Sequence, residues 1–279
     1  MIKSYSKINL FLKVLKKKSD NLHNIQSSVM LLDLYDLIKI KNIHKNQDEI
    51  KFIGQFKKKV NKKNNTITKS LNLLRKNGLI SKTKKYKIVI EKKIPVFAGL
   101  GGGTSNAAFL IQYFLKNKIN EKLLRIFEKE IGSDFRLFFY KHCFQKNIKS
   151  ILSFKKRYTF YFVLVYPKIN CSTKKIYSKV RQINIPLKYN LSKVQTKSKY
   201  LHFLKKETND LQSIVEKKYH KLKKILDFLE TQKNSIFSRM TGSGSVCFGV
   251  FLRRKSAELS LRVIKKKFPN YWCIIAKSI

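Results

Sequence analysis

Residues 95–105 read Pro-Val-Phe-Ala-Gly-Leu-Gly-Gly-Gly-Thr-Ser, and four of the chain's ten glycines (Gly99, Gly101, Gly102, Gly103) fall within five positions there. Glycine lets backbone N–H groups approach a ligand with no Cβ in the way, and it tolerates positive φ. Before this stretch, Tyr86 to Glu91 alternates like a strand. After it, Thr104 to Lys116 carries Ala107, Ala108, Leu110, Ile111, Phe114 and Leu115 at helical spacing. Strand, glycine loop and helix N-terminus in that order form a phosphate site, because unpaired amides and the positive end of the helix dipole converge. Thr104 and Ser105 are good N-cap residues, and their hydroxyls suit contact with phosphate oxygens or a metal. The alternative is a tight strand-to-helix turn with no ligand. The P-loop pattern is excluded because no lysine follows the last glycine. The dinucleotide fingerprint is excluded because no acid closes a second strand about twenty residues on.

Three further groups suit phosphoryl transfer, which needs an in-line hydroxyl, a base beside it and positive charge around the transferring group. Residues 6–15 alternate as a strand, with Ile8, Leu10, Leu12 and Val14 on one face and Lys7, Asn9 and Phe11 on the other. Asp134 follows Gly132, which breaks an amphipathic helix over 120–131, and is a candidate base or hydroxyl-orienting group. Lys7 is a candidate for stabilising charge on the phosphoryl group. Taken singly, Lys7 also reads as a solvated lysine and Asp134 as a turn residue. A second glycine-rich turn, Thr241-Gly242-Ser243-Gly244, precedes a strand over 246–252.

The elements that carry these groups follow from the pattern. Residues 29–40 are apolar and β-favouring, 41–65 suggest a hairpin and loop, and 66–76 a helix. Residues 158–166 form a strand that Pro167 stops. A Lys/Asn-rich connection reaches about residue 199, followed by a helix over 209–229, another over 256–268 and a last strand over 272–276. A domain boundary is expected near residue 152.

At 279 residues the chain is long enough for two domains, and its 43% hydrophobic content is ordinary for a globular protein. No apolar run approaches membrane-spanning length, and residues 1–7 lack the apolar core of a secretory signal. The four scattered cysteines read as buried free thiols in a reducing, cytoplasmic setting. The net charge of +46 points first to nucleic acid. Yet the lysines are spread along the whole chain with abundant Asn and Ile, as an AT-rich coding bias produces, and no reader motif stands out. The expected partners are therefore small molecules, with no specific nucleic acid, no membrane, and a monomer or homodimer.

Together, Lys7 through Leu12, His23, Pro95 through Ala108, Gly132-Ser133-Asp134, Asn209-Asp210-Leu211 and Arg239 through Gly244 resemble the motifs of the GHMP kinase superfamily, in its order and over essentially the whole chain. The resemblance is closest to the branch that phosphorylates the 2-hydroxyl of a cytidyl-bearing polyol in the non-mevalonate route to isoprenoid precursors. It implies an α+β protein with two domains and the active site in the cleft between them. The first is a ribosomal-protein-S5-like, ATP-binding domain at 1–152; the second is a ferredoxin-like domain at 153–279 that closes the substrate cleft. It implies ATP and Mg²⁺, with Lys7 and Asp134 catalytic. Pro95, Val96, Phe97, Ala98, Gly99, Leu100, Gly101, Gly102, Gly103, Thr104 and Ser105 would bind ATP. Asn9, His23, Thr173, Tyr177, Gly242, Ser243 and Gly244 would bind the substrate, His23 at the cytosine edge and Tyr177 at its face. No carboxylate pair for the metal is visible. Three departures from the pattern stand out: Leu22 in place of a tyrosine, Phe135-Arg136-Leu137 after Asp134, and Tyr140 through Phe144 in place of a small, glycine-bearing segment. A kinase for another small alcohol, or a basic anion- or nucleic-acid-binding protein that kept the fold without turnover, are the alternatives.

Overall fold

The computed structural model describes residues 1–17, 23–61, 64–116, 118–181, 183–188 and 190–279. In chain order its elements are β1 (Ile2–Lys17), β2 (His23–Ile43), β3 (Glu49–Ile53), α1 (Thr66–Lys76), β4 (Lys85–Glu91), α2 (Gly102–Phe114) and α3 (Glu121–Ile131). There follow β5 (His142–Gln145), β6 (Ile151–Ser153), β7 (Tyr161–Tyr166), α4 (Thr173–Tyr177), α5 (Lys197–Lys206), α6 (Gln212–Lys218), α7 (Lys221–Glu230), β8 (Ser238–Met240), β9 (Cys247–Phe251), α8 (Arg254–Lys267) and β10 (Trp272–Lys277). Leu22 lies outside the described residues.

The chain forms two compact units that are not consecutive stretches. One comprises Met1–Ser6, Leu34–Val96 and Gly101–Phe139; the other comprises Lys7–Asp33, Phe97–Leu100 and Tyr140–Ile279.

In the first unit the strand order is β3-β4-β2, with β4 antiparallel to β2 (Ile38 opposite Ile90) and parallel to β3 (Ile50 opposite Ile88). The segment 41–65, expected as hairpin and loop, thus holds a strand that pairs in parallel, and α1 makes the crossover such pairing requires. Asn65 caps α1 by accepting from Ile67 N and Thr68 N. Ile67 and Leu71 of α1 and Leu110 of α2 close over Ile38, Ile88 and Ile90. Asn120 caps α3, and Gly132 ends it at φ 148°.

In the second unit β5 pairs antiparallel with the first half of β2 and with β6. A separate four-stranded sheet has the order β10-β7-β9-β8, antiparallel at every pair. With helices between β7 and β8 and between β9 and β10, that is the ferredoxin-like β-α-β-β-α-β arrangement. Its core joins Val163, Val165, Cys247 and Phe251 to Leu222, Ile225, Leu229, Ala257 and Ile264. The expected helix over 209–229 is two helices, because the backbone leaves the helical region at Tyr219 (φ −135°, ψ 82°). Helix α5 starts at the end of the Lys/Asn-rich connection and runs past it; its buried side chains are Tyr200 and Leu204, too sparse a stripe to read as a period. All four cysteines are buried and none forms a disulfide, as expected. No helix among the described residues is long and apolar enough to cross a membrane.

Candidate active site

The second unit gathers all seven predicted substrate residues, and Lys7 with them. The alternation of β1 sets Lys7 and Asn9 on one face, and both are buried. Lys7 Nζ donates to Asn9 Oδ1, and Asn9 Nδ2 donates to Ser27 Oγ at 2.8 Å. The Asn9 backbone N–H donates to Thr241 Oγ1 at 3.0 Å, joining β1 to the second glycine turn. That turn closes by Gly244 N to Thr241 O, 3.0 Å. Its close approach requires glycine: a Cβ on Gly242 would stand 3.2 Å from Gly99 O, 3.3 Å from Lys7 Nζ and 3.4 Å from Asn9 Oδ1, at φ 55°.

The middle of the first glycine loop belongs to the same unit. Leu100 O accepts from Lys7 N at 3.1 Å, and Ala98 O accepts from Val246 N at 3.2 Å. Gly99 sits at φ 82° with the Thr241 carbonyl where its Cβ would go. Thr173, first residue of α4, exchanges a hydrogen bond with Ser243 (Oγ1 to Oγ, 2.9 Å). His23 and Tyr177 stand with ring centroids 5.9 Å apart, tilted by 31°. Lys7, Asn9, Thr173, Gly242, Ser243 and Gly244 therefore form one connected set with residues 98–100, and His23 and Tyr177 pair separately within the same unit.

The first unit carries the remainder: Pro95, Val96, residues 101–105 and Asp134. Helix α2 begins two residues earlier than expected. Its N-cap is Gly101, in the left-handed region at φ 69°. Thr104 and Ser105 are therefore inside the first turn and cap nothing. Ser105 turns inward: its hydroxyl donates to Tyr5 O (2.5 Å) and lies 2.7 Å from Ser4 Oγ. This hydroxyl is spent on the fold, which removes it from the set available to a phosphate or metal. The backbone amides of Gly102, Gly103 and Thr104 have no preceding turn to donate to and carry the positive end of the helix dipole.

Beneath this turn lies a buried network that sequence reading missed. Asp36 is fully buried; it accepts from Lys93 N (2.7 Å), Ile94 N (2.9 Å), Asn106 Nδ2 (2.9 Å) and Lys92 Nζ. Lys92 Nζ also donates to Asn106 Oδ1 at 2.8 Å. Burial pulls the Lys92 ammonium below its ordinary range, against the opposing pull of Asp36. The readable signal was the scarcity of acids, 16 against 62 basic residues, which makes each acid in an apolar strand worth tracing.

Asp134 is half-buried at the start of a 3₁₀ turn, where its carbonyl accepts from Leu137 N at 3.1 Å. The departure after it is absorbed locally. Phe135 and Leu137 are buried, and Arg136 makes paired hydrogen bonds to Glu128 (2.8 and 2.9 Å) and Glu121 (2.8 and 3.1 Å). Burial opposes the Arg136 charge, but the two carboxylates outweigh it and hold the guanidinium protonated. In the second unit, the altered segment 140–144 leads into β5. His142 there stacks on Phe154 at 3.6 Å and meets Tyr200 Oη at 2.9 Å, with burial lowering its pKa to about 3.

Two family models match the chain: the GHMP kinase N-terminal domain over residues 65–136 and the GHMP kinase C-terminal region over 195–270. A 4-diphosphocytidyl-2-C-methyl-D-erythritol kinase from Pelagibacter ubique (strain HTCC1062) is 39% identical, over 100% of this chain and 98% of that protein. The chain belongs to that kinase family. The protein of the same description from Wolbachia pipientis wMel is 32% identical over 97% of this chain and 96% of its own length. A crystal structure of a 4-(cytidine 5'-diphospho)-2C-methyl-D-erythritol kinase superposes with a TM-score of 0.74 at 19% identity, covering 98% of both chains. The expected α+β, two-domain GHMP kinase fold is thus the observed one.

Proposed function

We propose that the protein transfers the γ-phosphoryl group of ATP to the 2-hydroxyl of 4-diphosphocytidyl-2-C-methyl-D-erythritol. The observation that carries this reading is the connected set of Lys7, Asn9, Thr173 and the 241–244 turn, in a chain whose full length matches kinases described by that substrate. In the proposed reaction Asp134 accepts the hydroxyl proton and Lys7 supplies positive charge to the phosphoryl group in flight. The first-turn amides of α2 receive the phosphates. His23 offers a donor and an acceptor to the pyrimidine edge, and Tyr177 a face for it. Residues 1–152 would supply the nucleotide side and 153–279 complete the substrate side.

Among the described residues no group of three or more His, Cys, Asp or Glu side chains is placed to hold a metal ion. That donor set fits a Mg²⁺ that arrives on the nucleotide and keeps phosphate and water ligands. Of the two hydroxyls suited to it by type, Ser105's donates to Tyr5 O, so Thr104's is the one this reading would offer the ion. The ion would neutralise charge on the phosphates.

The test is ATP consumption by purified protein with and without the cytidyl polyol. Substrate-dependent ADP release is expected, and Lys7→Ala and Asp134→Ala should each remove most of kcat. Equal turnover on mevalonate or homoserine would overturn the substrate assignment.

A further inference from the structure

Ser27 lies in β2 and is fully buried. A hydroxyl taken out of water must be bonded, and this one is bonded twice. It donates to Phe11 O at 2.6 Å and stands 2.8 Å from Asn9 Nδ2. A serine hydroxyl has one proton, and a backbone carbonyl can only accept. The proton is therefore committed to Phe11 O, and toward Asn9 the Ser27 oxygen can only accept. The Asn9 amide must then present Nδ2 to Ser27 and Oδ1 to the other side, where Lys7 Nζ donates to it. The Lys7 end requires the same orientation, because an ammonium has donors and no acceptor. Hydrogen bonds thus run one way, from Lys7 through Asn9 and Ser27 to Phe11 O. The Asn9 main chain is held separately, by its N–H to Thr241 Oγ1 at 3.0 Å. What remains to be set is the terminal torsion of the Asn9 side chain, which is broad and roughly two-fold for an amide.

We propose that Ser27 is a positioning residue for the phosphoryl transfer: its hydroxyl fixes which way the Asn9 amide faces, and through that amide where the Lys7 ammonium sits. The proposal rests on the kinase reading above and deepens it. Lysine carries its charge on a flexible four-carbon stem, so the stem by itself does not place the charge. A donor aimed in advance at developing charge acts without reorganising when the reaction occurs. Without the Ser27 hydroxyl the amide can turn over and set Nδ2 against the ammonium, donor against donor. Lys7 then loses the Asn9 acceptor, while the shape of the site is nearly kept. Lys7, Asn9, Phe11 and Ser27 all belong to the second unit.

The test compares Ser27→Ala, Ser27→Thr and Ser27→Val with wild type, by steady-state kinetics with ATP and the cytidyl polyol. In Ser27→Ala, kcat and kcat/KM for the polyol should fall together by about tenfold to hundredfold, the scale of a catalytic group left out of place. KM for ATP should move less than about twofold. Threonine and valine have nearly the same shape, so crowding by an added methyl appears in both variants and only the hydroxyl separates them. Ser27→Thr should recover most of kcat, and Ser27→Val should not. In an Asn9→Ala background, adding Ser27→Ala should change kcat less than about twofold, because the residue through which Ser27 acts is gone. The amide itself gives a readout that needs no turnover. In NMR spectra of isotope-labelled protein, the side-chain amide signal that Asn9→Ala removes should shift and exchange faster with solvent in Ser27→Ala. It should return toward its wild-type position in Ser27→Thr. Equal kcat in the threonine and valine variants, additive losses in the double variant, or an Asn9 amide signal unmoved by Ser27→Ala overturns the positioning role and leaves the kinase reading intact. A wild type that does not phosphorylate the polyol overturns the kinase reading, and the amide signal alone then decides whether Ser27 orients Asn9.

Discussion

Under the first turn of α2, a lysine and an aspartate meet in a space closed to water, 2% and 0% exposed. Around the 241–244 turn, Lys7 donates to Asn9, and Asn9 bonds the hydroxyls of Thr241 and Ser27. Asn209 supports that turn from behind, donating to Met240 O (2.7 Å) and Gly242 O (2.8 Å). Arg239, just before it, donates to Leu10 O and Leu204 O, and burial draws its pKa down to about 10 against the opposing pull of Glu207 and Glu230. A buried polar cluster of that unit, His142 with Tyr200 and Ser28, is kept neutral. The first unit thus fixes its loop with a buried charge pair, strong if both partners remain and costly if one is lost. The second fixes its turn with many separate hydrogen bonds and close glycine packing, so damage there should be graded.

The sharpest break is Asp36→Ala, which strands the Lys92 ammonium and should cost about 3–5 kcal/mol in urea unfolding. Replacing both partners with Asp36→Leu and Lys92→Met should recover most of that. A double variant as unstable as the single one would show that shape, not charge, holds this turn.

Acid should act on the second unit through His142. Its imidazole protonates near 6.5 when unfolded but only at about 3 when folded. The unfolded state therefore binds the extra proton first, and stability is complete above pH 6.5 and falls as pH drops toward 3. The slope is about 1 kcal/mol per pH unit. The stability–pH curve of His142→Gln should lose this slope.

Gly99→Ala puts a Cβ into the Thr241 carbonyl at φ 82° and should cost at least about 2 kcal/mol together with most activity. Asn209→Ala should be milder, about 1–3 kcal/mol by thermal unfolding, since two carbonyls lose their donor while the turn keeps its other bonds. Gly103→Ala is the control. Its nearest neighbour would be Thr66 at 3.8 Å, inside a helix and without positive φ, so stability should rise by up to about 1 kcal/mol.

Much of this was legible without coordinates. The face of β1 that carries Lys7 and Asn9 follows from alternation, and the strand–loop–helix order around 95–105 from glycine density and period. The caps at Asn65 and Asn120 and the stop at Gly132 rest on side chains and backbones a few residues apart. Other features were hidden because their partners are distant. Asp36 and Lys92 are 56 positions apart, in a chain where one lysine among many carries no signal. Arg136 looked like a disruption until Glu121 and Glu128 were brought to it. Ser105 reads as a cap by type, but its hydroxyl is claimed by Tyr5, 100 residues away.

The amino-acid order alone determined what neighbours can decide: which stretches turn, cap and alternate, and which residue types stand ready for phosphate chemistry. Only the tertiary structure decided that residues 7–33 and 97–100 join the unit built from 140–279, that one lysine is buried against an aspartate, and that Phe97 faces water in a strained backbone. The reason is physical. Contacts between distant segments cost loop-closure entropy and are stabilised only when a shared core buries them, so their pairing belongs to the assembled chain and not to any window of it.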